Sequence, residues 1–252
     1  MKTLLVLVRN PAASEWYIDY AVGLARDLHL KIHLFYVENP ASHMLASPRL
    51  SGAALEQLQH KLKEKALLAR DSLTSQVNEM LQKREEQVVV EVSSTIGNQV
   101  SLINQMVEED KAQMVMLASE GPGTSGFKHP FIDELSRNVN CPVWIIPENT
   151  RYRSIDSIIY ATDYQEEDIT TLKEVIDLTH FVSPEITALH ITSNPDFELR
   201  IKNAGFQKVV KNKTGYDDLT VKALVERNGG GIPEMIGEFA AQDRSGLIVV
   251  LK

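Results

Sequence analysis

One pattern of strand and helix signals occurs twice in this chain, and it constrains the fold more than any single motif. The apolar run Leu4-Leu5-Val6-Leu7-Val8 stops at Arg9-Asn10-Pro11, and the run Ile158-Ile159-Tyr160-Ala161-Thr162 stops at Asp163. At the same spacing, Lys31-Ile32-His33-Leu34-Phe35-Tyr36-Val37 is answered by Glu185-Ile186-Thr187-Ala188-Leu189-His190-Ile191. Between the members of each pair lies a helical stripe: Ile18, Ala21, Val22, Ala25 and Leu28 in the first half, Ile169, Leu172, Val175, Ile176 and Thr179 in the second. Apolar residues at these steps share one helix face. Further along, Ile96-Gly97, a helix through Val107 and the run Met114 to Leu117 face Gly230-Gly231, a helix through Ala241 and the run Ile248 to Leu251. A repeat on this scale signals a duplicated supersecondary unit.

Short apolar runs without polar alternation read as parallel strands buried on both faces. Right-handed crossovers then wind helices onto both sides of each sheet. The expected fold is α/β, two tandem Rossmann-like doubly wound parallel sheets, with domains over 1–147 and 148–252 joined by the polar stretch Glu148 to Arg153. A long helix is expected over roughly Ala53 to Arg84, with Leu55, Leu58, Leu62, Ala66, Ala69, Leu73, Val77 and Met80 on one seam. That seam is close to a heptad, but packing on its own sheet is preferred over a coiled coil. The counterpart in the second half, Pro195 to Asp218, reads as shorter and less regular.

Wound sheets bind ligands at the carboxyl ends of their strands. That rule singles out Arg9/Asn10, Val37/Glu38, Ser93 to Gly97 and the glycine-rich stretch after Ala118, then Asp163/Tyr164, Thr192/Ser193 and Asn228 to Gly231. The chain has 252 residues, 43% of them hydrophobic, enough for two cores, and a formal net charge of -8. Both halves are mildly acidic, which argues against a nucleic-acid partner. No stretch approaches the roughly 20 apolar residues of a membrane span. The N-terminus lacks the longer apolar core of a secretory signal. Cys141 has no second cysteine to pair with. Together these point to the cytoplasm and away from a membrane.

The strand ending Ala161-Thr162-Asp163, the strand ending Leu189-His190-Ile191, the glycine turn after the fourth strand and the closing Cys141-Pro142-Val143-Trp144-Ile145-Ile146-Pro147 together resemble the universal stress protein family, tandem two-domain type. The resemblance implies a Rossmann-like fold of the adenine nucleotide alpha hydrolase kind. It also implies dimerisation through the last strand, here Val143 to Ile146, or a pseudo-dimer formed within the chain. It leaves ATP-binding and non-binding kinds as alternatives. The binders carry an Asp at the end of the first strand and the pattern G-x2-G-x9-G-[ST] after the fourth, where backbone N–H groups surround phosphates.

The first half departs from that pattern. Its first-strand position is Arg9. Counted from Ala118 and Gly121, the final pair falls on Phe131-Ile132; counted back from Cys141-Pro142-Val143, it falls on His129-Pro130; counted from Gly123 and Gly126, it falls on Ser136-Arg137. None is Gly-[ST]. Pro130 has no N–H to donate but suits a first helical turn. Three readings stay open: a tight strand-to-helix connection; a rewired anion site of Arg9, His129 and N–H groups from Gly121 to Gly126; or ATP binding despite the changes. The second half keeps Asp163, but the sequence stops at Leu251-Lys252, where the phosphate turn, last helix and fifth strand would follow. The expectation is truncation of a longer chain, or a second subunit covering that edge.

Other chemistry is weaker. Gly123-Thr124-Ser125-Gly126-Phe127 misses a nucleophile elbow. The Walker pattern is absent, and Gly121-Pro122-Gly123-Thr124-Ser125-Gly126 fits a dinucleotide fingerprint only after a fourth strand. The 7 histidines are scattered, so a metal site is not expected. Cys141, just before an apolar strand, reads as a small buried residue. The expectation is therefore a stress-linked binding and regulatory protein without catalytic machinery, taking a small anionic ligand or a protein partner, with no cofactor assigned and ATP as the alternative. Its candidate contacts are Arg9, Val37, Ser119, Gly121, Gly123, Gly126 and His129 in the first half, and Thr162 and Asp163 in the second.

Overall fold

The computed structural model describes residues 1–41, 52–119, 130–193, 197–226, 231–243 and 245–251. The chain divides into two units, Met1–Tyr152 and Arg153–Lys252. The first contains β1 (Thr3–Leu7), α1 (Glu15–Asp27), β2 (Lys31–Glu38), α2 (Gly52–Arg84), β3 (Val90–Ile96), α3 (Gln99–Glu108), β4 (Met114–Ser119), α4 (Pro130–Asn138) and β5 (Val143–Pro147). Its strands lie in the order β3-β2-β1-β4-β5, every neighbour parallel. The second contains β6 (Ser157–Ala161), α5 (Glu166–Thr179), β7 (Glu185–Thr192), α6 (Phe197–Thr214), β8 (Leu219–Val225), α7 (Ile232–Asp243) and β9 (Leu247–Val250). Its order is β8-β7-β6-β9, again all parallel. Both units thus wind outward from their first strand in the same sense, and the doubly wound α/β fold read from the repeat is the fold observed.

The burial pattern explains why these segments became strands. Leu4, Leu5, Val6 and Leu7 are all shut off from solvent, as are Ile32, Leu34, Phe35, Tyr36 and Val37 on β2. Residues on both faces of the pleat are covered, which only helices on both sides of the sheet can achieve. One layer of the core joins Leu5, Leu7, Val115 and Leu117 to Ile103 of α3 and Leu135 of α4. On α2 the buried residues are Leu62, Ala66, Ala69, Leu73, Val77 and Met80, and the helix lies along β2 and β3 of its own sheet. The heptad-like seam is therefore a sheet-facing stripe, and Leu55 at its start is exposed.

Residues after β5 fold back onto α1. The Tyr152 ring lies edge-on to Tyr20 with centroids 5.2 Å apart, and its hydroxyl donates to Asp27 Oδ2 at 2.7 Å. Gly23 makes room for it: a Cβ there would stand 2.3 Å from Tyr152 Cδ1. Glycine is here for close approach, since a side chain could not share that space.

The segment after β7, expected to be shorter and less regular than its counterpart in the first half, is the 18-residue helix α6, against 33 residues in α2. Its sheet-facing stripe includes polar residues. Gln207 Nε2 donates to the Leu219 carbonyl at 3.0 Å, and Asn203 accepts from the Tyr164 hydroxyl, while Ile201 and Val209 are exposed. Polar residues inside and apolar residues outside blur the 3.6-residue period that would reveal a helix.

Cys141 lies just before β5, half-buried. Burial pushes its thiol up to about 11, against a smaller opposing effect from the Val115 backbone. At pH 8 alkylation by iodoacetamide should run about 100-fold slower than for an ordinary thiol, because the thiolate is the reacting form. The rate should climb with pH toward 11. Rapid labelling of the native protein at pH 8 would contradict this assignment.

Candidate functional site

In the first unit the crevice between β1 and β4 is the switch point of the sheet. Arg9 leaves β1 exposed to solvent, and its guanidinium lies 5.4 Å from the centre of the Phe131 ring. Phe131 follows Pro130, the first residue of α4. So the proline opens the helix as expected, and the next side chain delivers an aromatic face to the cation. Asn10 is a local cap, accepting from the Ala12 N–H at 3.2 Å. Ser119 ends β4, and its hydroxyl donates to the Ile146 carbonyl at 3.4 Å. Gly121, Gly123, Gly126 and His129 lie outside the described residues.

The end of β2 is closed by its neighbours. The Val37 carbonyl accepts from Gln99 Nε2 at 3.3 Å, and the Glu38 carbonyl accepts from the Gly97 N–H at 3.0 Å. The Glu38 side chain is buried. It accepts from the Tyr36 hydroxyl and from Lys65 Nζ of α2 at 2.9 Å. A buried carboxylate needs such partners. Burial first, and then the carboxylate beside it, push the Tyr36 phenol well above its ordinary range. This cluster anchors α2 to the sheet end, and strand-end position alone did not separate that role from ligand binding.

In the second unit the turn after β6 is built around a residue the sequence reading did not single out. Asp168 is 2% exposed. Its carboxylate accepts from the Tyr160 hydroxyl at 2.9 Å, the Thr162 hydroxyl at 2.7 Å and the Gln165 N–H at 2.9 Å. It also completes a capping box at the start of α5. Thr162 is committed on both sides, because its hydroxyl also accepts from the Tyr164 N–H at 2.9 Å. Its carbonyl accepts from His190 Nδ1 at 2.8 Å. A carbonyl can only accept, so that nitrogen carries a proton.

The network leaves Asp163 pointing outward, 85% exposed and 3.6 Å from His190 Nδ1. Tyr164 takes a φ of 60°, a left-handed conformation a bulky residue adopts only when its surroundings hold it there. Its ring is held between His190, centroids 4.6 Å apart, and Phe206 of α6, 5.1 Å apart. Asp163, Tyr164, Gln165, Lys202 and Phe206 line a cleft of about 300 Å³, near the lower end of ligand-sized sites. The structure thus brings Asp163 to a cleft but turns Thr162 inward. Lys202 and Phe206, which complete the cleft, come from α6, the segment whose sequence pattern is less regular.

Among the described residues no cluster of His, Cys, Asp or Glu is placed to hold a metal ion, and no helix is long and apolar enough to cross a membrane. Compared with known proteins, residues 1–147 match the Universal stress protein family. No curated protein matches the chain. Among solved structures it is similar to a universal stress protein from Archaeoglobus fulgidus DSM 4304, with a TM-score of 0.67, 14% identity, and coverage of 98% of this chain and 86% of that one. It is also similar to a functionally unknown protein from Pseudomonas aeruginosa PAO1, with a TM-score of 0.56, 14% identity, and coverage of 99% of this chain and 81% of that one. At such identity the likeness is one of fold.

Proposed function

The chain belongs to the Universal stress protein family, and from that premise we propose that it serves the stress response as a non-catalytic, cytoplasmic binding protein. In this reading its first unit takes a small anion in place of ATP, and occupancy regulates a protein partner. The observation that carries the reading is Arg9 at the end of β1, stacked on Phe131. A cation stands where the family's ATP binders hold an acid, and an aromatic ring takes the place of bare backbone. Arg9, Ser119, His129 and the N–H groups of Gly121, Gly123 and Gly126 are the proposed contacts, with Val37 forming the wall. Guanidinium and backbone donors favour phosphate-like anions.

A second reading has one specific observation behind it. Asp163, preceded by Thr162, stands at the end of β6 beside the cleft, where an ATP-binding unit with weak hydrolysis would place an acid. Denaturing the purified protein and analysing the supernatant for adenine nucleotide separates the two. In the first reading none is released, and Mg-ATP leaves the melting temperature unchanged within about 1 °C, whereas a tight native-state ligand must raise it. Inorganic pyrophosphate should bind, and Arg9→Ala should weaken it about tenfold or more, the worth of one charge-assisted contact. Nucleotide near one equivalent, or an unchanged pyrophosphate affinity, would defeat the proposal.

A further inference from the structure

Helices α5 and α6 pack side by side in the second unit, and they carry opposite charge. The exposed ionisable groups of α5 are Glu166, Glu167, Glu174 and Asp177, with Lys173 tied to Asp177 at 3.5 Å. Those of α6 are Arg200, Lys202, Lys208 and Lys213, with Glu198 tied to Lys202 at 3.0 Å. Among the described residues no ion pair joins the two helices, and Glu166, Glu174, Arg200, Lys208 and Lys213 make none at all. Between its bases α6 presents Ile201, 57% exposed, and Val209, 39% exposed. The exposed Ala204 and Gly205 lie between them, so another backbone could approach closely.

A uniformly anionic surface would suit α6 and be repelled by α5. A cationic one would meet the reverse. The surface that satisfies both carries a basic and an acidic ridge at the same helix spacing, and this face is itself such a surface. We propose that it is an isologous interface, and that its occupant is a second copy of this chain. A two-fold axis lying in the interface and running along the helices sets α5 of each copy over α6 of the other. The alternative axis, across the helices, sets like charges together and is disfavoured. Taking α5 as about 21 Å long and the helix pair as about 20 Å wide, the contact buries on the order of 800 Å² in total. That is the small end of specific interfaces, so the association should be weak and salt-sensitive.

The test is sedimentation of the full chain at low and high salt, with Lys208→Glu and Glu174→Lys made separately. Each variant alone places two like-charge contacts in its own assembly, and its dissociation constant should rise at least tenfold. Mixed in equal amounts, the two variants form a pair in which one contact is charge-reversed and the other is wild type. The mixture should therefore associate as the parent does. Three outcomes would overturn the proposal: a parent chain that does not self-associate at about 100 μM in low salt, self-association unaffected by either substitution, or a mixture that fails to restore it. Binding of phosphatidylglycerol vesicles that survives Glu174→Lys and is lost with Lys208→Glu, without self-association, would assign α6 to a lipid surface and overturn it as well.

Discussion

Replacing Asp168 with alanine should destabilise the second unit by about 3–5 kcal/mol, the largest single-residue effect expected outside the apolar cores. The carboxylate is 2% exposed and accepts from two side-chain hydroxyls and one backbone N–H. Alanine removes every acceptor at once and strands the donors. The Tyr160 hydroxyl is fully enclosed and cannot turn to water. Unsatisfied buried donors cost about 1–3 kcal/mol each, and the Gln165 N–H, being only partly buried, contributes less. The capping box also goes, so α5 should fray at its first turn. Hydrogen exchange followed over residues 157–179 reads this directly. Protection should fall there by about two orders of magnitude or more and stay unchanged over β1 and β2. Asp168→Asn should fall in between, because an amide keeps one oxygen but turns a donor toward one of its partners. A loss below about 1 kcal/mol for the alanine variant would show that the network can rehydrate, and that the turn does not depend on it.

Gly23→Ala should destabilise the first unit by about 2–3 kcal/mol, against the trend for an exposed helix, where alanine in place of glycine gains about 1 kcal/mol. The new Cβ would stand 2.3 Å from Tyr152 Cδ1 and 2.7 Å from Cγ. A ring cannot yield by that much and stay in place. Its eviction loses the hydroxyl bond to Asp27 and the edge contact with Tyr20. The decisive comparison is a double-mutant cycle. With Tyr152 already replaced by alanine the clash is gone, and Gly23→Ala should then stabilise the helix. A change of sign between the two backgrounds, read from chemical denaturation, identifies the mechanism. The same penalty in both backgrounds would remove Tyr152 from the explanation.

What could be read beforehand follows from where polar groups sit. The strands were legible because β1, β2, β4 and β6 are apolar runs buried on both faces and β7 repeats the signal of β2, and the winding follows from the crossover rule. The helix stripes of α1 and α5 were legible because their apolar residues face inward. Helix α6 read only as a less regular segment, because Asn203 and Gln207 face inward with hydrogen-bond partners while Ile201 and Val209 face out. No single residue of it stood out, so Lys202 and Phe206, two of the five residues lining the cleft beside Asp163, were not singled out. Asp168 escaped notice for a different reason. An acid in the first turn of a helix is ordinary, and only the hydroxyls of Thr162 and Tyr160, at the end of the preceding strand, reveal that this one is enclosed. In the first unit, Phe131, where one count of the pattern would have a glycine, is what the structure places against Arg9.

The placement of β1 at the centre of its sheet sets the order in which the first unit can be completed. One side of β1 is matched by β2, which follows it closely, but the other is matched by β4, beginning at Met114. The Thr3 N–H is bonded to the side chain of Gln113 across the same gap. During synthesis, Leu4, Leu5 and Val6 therefore leave the ribosome long before the strand that shields them. At roughly 5–20 residues per second, the nascent chain carries an open apolar edge for about 6–22 seconds. Vectorial production thus exposes this protein to nonnative association early and briefly, and a trigger-type holdase acting on the first hundred residues should raise its soluble yield more than one acting after release.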